Sequence, residues 1–225
     1  DPNYTPVRVR EKDRFKHLFI CGKTGTGKSE FILNAFSNDS YPKVARIVID
    51  PLGNLSKKTW SITKGQAIYC GLEHPIGLNL MQLPYKPAQI VDLIIEAINQ
   101  AISLTVNNER LTAKMIAILT DAILFCLREK RLSLQYVREW IARDRADAQT
   151  RDGILSRLDL LLKDDDFRQI ICGDTIDIAR LIEEKQTLIL DCKGMGLMKK
   201  VFLGTVLVKL LQGYFMYAKV KEYKP

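Results

Sequence analysis

"HLFICGKTGTGKSEF", His17 to Phe31, is the stretch on which the fold turns. A short apolar run, His17–Cys21, gives way to three glycines within six positions, Gly22, Gly25 and Gly27, and then to a helix-forming segment from Lys28 to about Phe36. A brief continuous apolar run of this kind predicts a strand buried on both faces, with Cys21 as a small buried residue at its end. The eight residues Gly22, Lys23, Thr24, Gly25, Thr26, Gly27, Lys28 and Ser29 satisfy G-x-x-x-x-G-K-[ST]. That pattern has a physical reading. Backbone N–H groups of such a loop can all point inward at an anion, glycines permit the required angles and keep side chains out of the way, and the following helix adds its positive end. Lys28 would reach the β- and γ-phosphates of a nucleoside triphosphate, and the Ser29 hydroxyl would hold Mg²⁺. The expected ligands are ATP and Mg²⁺, with the nucleotide site running from Gly22 to Glu30.

Outward from the loop, Val44–Asp50 ("VARIVID") reads as a second buried strand, "PLGN" as a turn, and Ala67–Cys70 as a weaker third strand. Strand, helix and strand, with glycines at the first junction, indicate a parallel α/β sheet. From about Pro84 to Ile182 the signals are almost only helical. Asp92, Glu96, Gln100 and Ser103 form one polar side of Ala88–Ser103, and Leu111–Leu127 keeps only a narrow polar strip of Lys114, Asp121 and Arg128, which predicts a helix central to a bundle. Ser133–Ala148 and Asp152–Lys163 follow as amphipathic helices, and the acidic run Asp164–Asp166 reads as a helix end and a loop. Sheet character returns at Thr187–Cys192 ("TLILDC"), then a glycine turn and a long helix from about Met198 to Lys219. The expected organisation is a nucleotide-binding core over 1–83, an all-α insert over 84–182 and the rest of the core over 183–225.

Composition narrows the function. Among 225 residues, 34 Lys and Arg against 26 Asp and Glu leave a net charge of +8, which favours an acidic partner. The five cysteines are scattered and no pair has metal-ligand spacing, so a reducing, cytoplasmic compartment is expected and a disulfide framework is not. His17 and His74 are too far apart in sequence to suggest a site. The most apolar segment, Val201–Ala218, is interrupted by Lys209 and Gln212 and does not read as a membrane span. The first residue is Asp1, which suggests a fragment or a processed product. A GTPase would need N-K-x-D, and a small kinase an Arg-rich lid; neither is present.

"HLFICGKTGTGKS", "RIVIDPLGNLSKKTW", "HPIGLNLM", a helical stretch, "ILSRLDLLLKDDDFRQII" and "DIARLIEEKQTLILDCKGMG" follow one another in the order of the FtsK–HerA superfamily of DNA-pumping ATPases. The chain most resembles coupling-protein-like members of conjugation and type IV secretion systems. The resemblance implies a RecA-like P-loop core with an inserted all-α domain, working as a homohexameric ring with double-stranded DNA through its centre, at the cytoplasmic face of a membrane and alongside secretion or conjugation machinery. It also implies an Asp-Glu pair ending a strand, one carboxylate organising Mg²⁺ and the other orienting water. Asp50 and Asp191 end apolar strands but are followed by Pro51 and Cys192, so they stand as metal candidates only. In family order the Asp-Glu strand is expected just after Pro225, and the fragment alone would then be inactive.

An arginine acting in trans on the γ-phosphate is a further implication. Arg157 is the candidate by its place in "LSRLDLLL", with Arg151 and Arg168 behind it. Arg8, Arg10, Lys12, Arg14 and Lys16 form a basic arm that could meet DNA, a neighbouring subunit or solvent. Two functions follow: a DNA-translocating ATPase, or a nucleotide-gated binding or assembly module without turnover.

Overall fold

The computed structural model describes residues 19–37, 44–104, 109–143 and 147–217. The chain divides into two compact units, Asp1–Ser40 and Tyr41–Pro225. The described part of the first holds the glycine loop and helix α1 (Lys28–Ser37). His17 and the basic arm lie outside the described residues.

The second unit is built on a three-stranded parallel sheet: β1 (Arg46–Asp50), β2 (Ile68–Cys70) and β3 (Thr187–Asp191), in the order β1-β3-β2. β3 is central and buried along its whole length, which is why "TLILD" reads as one apolar run. Arg46 to Asp50 pair in order with Thr187 to Asp191, and Ile68 to Cys70 with Leu188 to Leu190. The chain is therefore mixed α/β with a parallel sheet, as the sequence predicts.

The strand expected over His17–Cys21 is not found among its described residues. Phe19, Ile20 and Cys21 carry no strand pairing, Phe19 is 87% exposed, and Cys21 is exposed rather than buried. Apolar residues become a strand only through a hydrogen-bonded neighbour.

Helices fill the remainder: α2 (Asn54–Ile62), α3 (Pro87–Ser103), α4 (Ala113–Arg128), α5 (Leu134–Arg143), α6 (Ala148–Leu162), α7 (Asp165–Cys172), α8 (Ile178–Glu183) and α9 (Leu197–Tyr217). α4 is central to the bundle, as its narrow polar strip predicts: it packs on α3, α5 and α6 and buries Leu119, Ala122, Ile123 and Cys126. α6 begins earlier than periodicity suggests, because the Asp147 side chain accepts from the Thr150 amide at 3.1 Å and caps it. The acidic run is likewise a beginning, not an end and a loop. Asp164 accepts from the Phe167 amide at 3.0 Å, and Asp165 and Asp166 occupy the first turn of α7, next to its positive end.

Sheet and helices share one core. Leu188 and Leu190 of β3 belong to the same apolar cluster as Ile94 and Ile98 of α3, Leu119 of α4 and Phe202 of α9. α3 lies along α9, and Lys209, the charge that interrupts the apolar run of α9, pairs with Glu96 of α3 at 2.7 Å.

"IGLN" closes a second seam. Gly77 bridges Thr175, the Leu78 amide donates to the Ile170 carbonyl at 2.6 Å, and the Ile176 amide donates to Gly77 at 3.0 Å. Asn79 is fully buried there. Its amide group donates to the Leu132 carbonyl at 2.8 Å and the Cys172 carbonyl at 3.3 Å, while its oxygen accepts from the Met81 amide at 3.0 Å. Among the described residues no helix is long and apolar enough to cross a membrane. All five cysteines are free thiols.

Candidate functional site

The glycine loop meets the demands that its sequence sets. Gly25 and Gly27 have φ of +86° and +83°, a conformation costly for any residue with a Cβ. Gly22 is constrained by space instead, since a Cβ there would lie 2.6 Å from the Thr26 hydroxyl. The Thr26 amide and hydroxyl both donate to the Lys23 carbonyl, at 3.3 and 2.8 Å, closing a tight turn across Thr24 and Gly25. α1 begins at Lys28, and the Phe31 amide donates to Gly27 at 2.8 Å. The Lys28 ammonium folds back over the loop and donates to the carbonyls of Gly22 and Lys23, 2.7 Å each. Ser29 and Glu30 follow in the first turn, exposed. A cation held over a glycine-rich backbone loop, at the start of a helix, is an arrangement that can receive a phosphate chain.

Asp50 and Asp191 stand at the carboxyl end of the sheet, 5% and 7% exposed. One oxygen of Asp50 accepts from the amides of Leu55 and Ser56 at 2.7 and 2.8 Å and from the Ser56 hydroxyl at 3.0 Å; the other accepts from the Leu52 amide at 3.1 Å. Asp50 thus caps α2 from four positions upstream. Burial pushes its pKa up, but the hydrogen bonds from Ser56, Leu52 and Leu55 together outweigh that and hold the carboxyl below its ordinary value. Asp191 accepts from the Tyr69 hydroxyl and, on its other oxygen, from the Lys193 amide at 2.9 Å. Burial and then the bond to Asp191 push the Tyr69 phenol well above its usual range.

Gly53, at φ +80°, lets the turn after β1 press against Lys193, where a Cβ would meet the Lys193 Cβ at 2.7 Å. The Lys200 ammonium adds a bond to the Pro51 carbonyl at 2.6 Å. Each oxygen of the two metal candidates therefore already accepts from a protein donor. Among the described residues no group of three or more His, Cys, Asp or Glu could hold a metal ion.

The three arginine candidates lie on α6 and α7, each in a local ion pair. Arg157 bonds Glu109 and the Gly153 carbonyl at 2.7 and 2.8 Å, leaving its Nε buried without a partner. Arg151 pairs with Asp152 at 3.2 Å and Arg168 with Asp165 at 2.9 Å.

Sequence reasoning missed a cleft of about 610 Å³ lined by Lys57, Trp60, Tyr69, Glu73 and His74. Its residues come from α2, β2 and the turn after β2, and α2 itself escaped prediction, so no periodic signal joined them. "KKTW" and "YCGLEH" were the only traces. Comparison with protein-family models, with characterised proteins and with solved structures finds no match to this chain.

Proposed function

We propose that the chain is the ATP-binding motor domain of a P-loop ATPase of the FtsK–HerA kind, RecA-like in its core, which hydrolyses ATP to move DNA or a DNA–protein complex in conjugation or type IV secretion. The observation that carries the reading is the glycine loop: two left-handed glycines, a helix opening at Lys28 and the ammonium poised over the loop. In this reading the loop amides and Lys28 hold the phosphate chain and offset the charge that develops on the transferred phosphoryl group. Ser29 would supply a hydroxyl for Mg²⁺, which when bound would add positive charge against the phosphate chain. The glycine-rich loop and the exposed Ser29 fit both ligands. Arg157 acts on the nucleotide of the next subunit in a homohexamer, leaving Glu109 when the subunits meet.

A second reading has an observation in its favour. Asp50 and Asp191 are committed to the protein's own donors, which suits a module that binds nucleotide to set assembly and does not turn it over. One experiment separates the two: nucleotide binding and steady-state ATPase rate, with and without double-stranded DNA, on this chain and on a form extended beyond Pro225, each beside Lys28→Ala. DNA-stimulated turnover that disappears with Lys28 supports the motor. Lys28-dependent binding without turnover in either form supports the module, and nucleotide binding with no component lost in Lys28→Ala sinks both.

A further inference from the structure

Trp60 is 39% exposed, yet its ring is held firmly. It packs edge-on against Tyr69, centroids 5.6 Å apart and planes at 83°, and Tyr69 packs in the same manner against His74 at 6.0 Å and 85°. The Tyr69 hydroxyl is tied to Asp191, so the middle ring of the three cannot swing away. Gly65, at φ +74°, brings the backbone after α2 close to the outer edge of the indole, where a Cβ would sit 3.5 Å from it. The result is an aromatic wall fixed before any ligand arrives. The cleft beside it, about 610 Å³, is of the size that encloses a small ligand.

Its charged groups sit at defined places. Lys57 lies one helical turn before Trp60 on α2, which puts its stem on the same face. Glu73 follows β2 and is the one carboxylate lining the cleft among the described residues, and His74 is beside it. A flat π-face, one cation and one hydrogen-bond acceptor match a nucleobase that carries a phosphate. The base stacks on the indole, the phosphate meets Lys57, and the N–H donors of the base edge meet Glu73. An aliphatic side chain from a protein partner would cover the indole but leave both charges uncompensated.

We propose that this cleft binds an unpaired nucleobase with its phosphate, stacked on Trp60 between Lys57 and Glu73, independently of the glycine loop. It is thus a site beyond the ATP reading and does not rest on it. The same chemistry is offered by a free nucleotide and by a single strand of nucleic acid. Glu73 gives the site a preference, because the exocyclic amino group of adenine or cytosine offers it two N–H donors and thymine offers only its single ring N–H.

The chain has two tryptophans, so Trp140→Phe leaves Trp60 as the sole reporter. Its fluorescence is followed while AMP, (dA)₁₅ or (dT)₁₅ is added, with Lys28 intact and with Lys28→Ala. Saturable quenching by the adenine ligands is expected in both backgrounds, several-fold weaker for (dT)₁₅, and weakened about tenfold by Lys57→Ala, an exposed position that spares the fold. Trp60→Leu, read by anisotropy of labelled (dA)₁₅ and by equilibrium dialysis of AMP, should lose a similar factor. Equal affinity for AMP and for (dA)₁₅ per base assigns the site to a free nucleotide; a tenfold advantage of the oligonucleotide assigns it to a strand. The proposal is overturned if no ligand quenches Trp60, if Lys28→Ala abolishes the quenching, or if neither Lys57→Ala nor Trp60→Leu changes affinity.

Discussion

Asp50 and Asp191 are register partners on adjacent parallel strands, two buried carboxylates side by side, and each answers to a different set of donors. Asp50 serves the start of α2; Asp191 serves Tyr69 and the turn after β3. Strand-end carboxylates in a parallel sheet suggest ligand chemistry, because such sheets bind ligands at that edge. Here their hydrogen bonds fasten the edge itself.

Asp50→Ala leaves the Leu55 and Ser56 amides of α2 without their acceptor, and should cost about 2 kcal/mol or more. The effect depends on pH with a definite sign. The folded pKa is depressed, so Asp50 stabilises fully above the unfolded carboxyl's pKa of about 3.9, and this is lost as pH falls through the lower folded value. Urea midpoints of the wild type and the variant, measured from pH 2 to 6, should differ at the upper end and converge towards the lower.

Tyr69→Phe takes from Asp191 its only side-chain donor among the described residues, and should cost about 1–3 kcal/mol. The folded phenol is raised, so its contribution is complete below the unfolded value of about 10 and fades as pH climbs towards the folded one. In ultraviolet titration at 295 nm to pH 11, native wild type and Tyr69→Phe should ionise the same number of phenols. A wild type that ionises one more would place Tyr69 in water.

At the "IGLN" seam, Gly77→Ala drives a Cβ to 2.0 Å from the Asp174 carbonyl, and backbone can yield only by moving the whole turn. A loss of about 2 kcal/mol or more is expected. Asn79→Leu keeps the branching and the number of heavy atoms but strands the Leu132 and Cys172 carbonyls and the Met81 amide, with a loss of about 3 kcal/mol. Chemical denaturation reads both. Amide exchange should quicken first between 170 and 176.

Arg157→Ala, in the assembled DNA-stimulated enzyme of the motor reading, should lower turnover about a thousandfold while ATP affinity stays within a factor of about two. A loss of thermal stability with turnover intact would confine the guanidinium to Glu109 and the Gly153 carbonyl.

How legible was this in the sequence? The glycine loop, β1, β2, β3 and the long helices were, because each carries its own period or its own turn chemistry. α2 was not, since its cap lies outside the helix: the position before it is Gly53, and the capping oxygen is that of Asp50, four residues back. α7 was hidden for a related reason, as three aspartates look like a break until one of them is seen to hold the Phe167 amide. The strand over His17–Cys21 misled in the other direction. Apolarity announces a wish to be buried, but a ladder needs a neighbour, and no local signal reports one. The aromatic cleft escaped because its walls meet only after α2 and β2 have packed.

The pairing of β1 with β3 also has a consequence in time. Asp50 and Asp191 are about 140 positions apart, and everything from α2 to α8 is made between them. On a ribosome the first strand must wait, at roughly 5–20 residues per second, for many seconds before its partner exists. In a tube the same closure spans a loop long enough to make it a slow step. During that wait the edge of Ile47 and Val48 that β3 will take is left open to water or another chain. Yield of soluble protein should therefore depend on how fast α3 to α9 gather, and synthesis at low temperature or with a holding chaperone should raise it more than any change at the glycine loop.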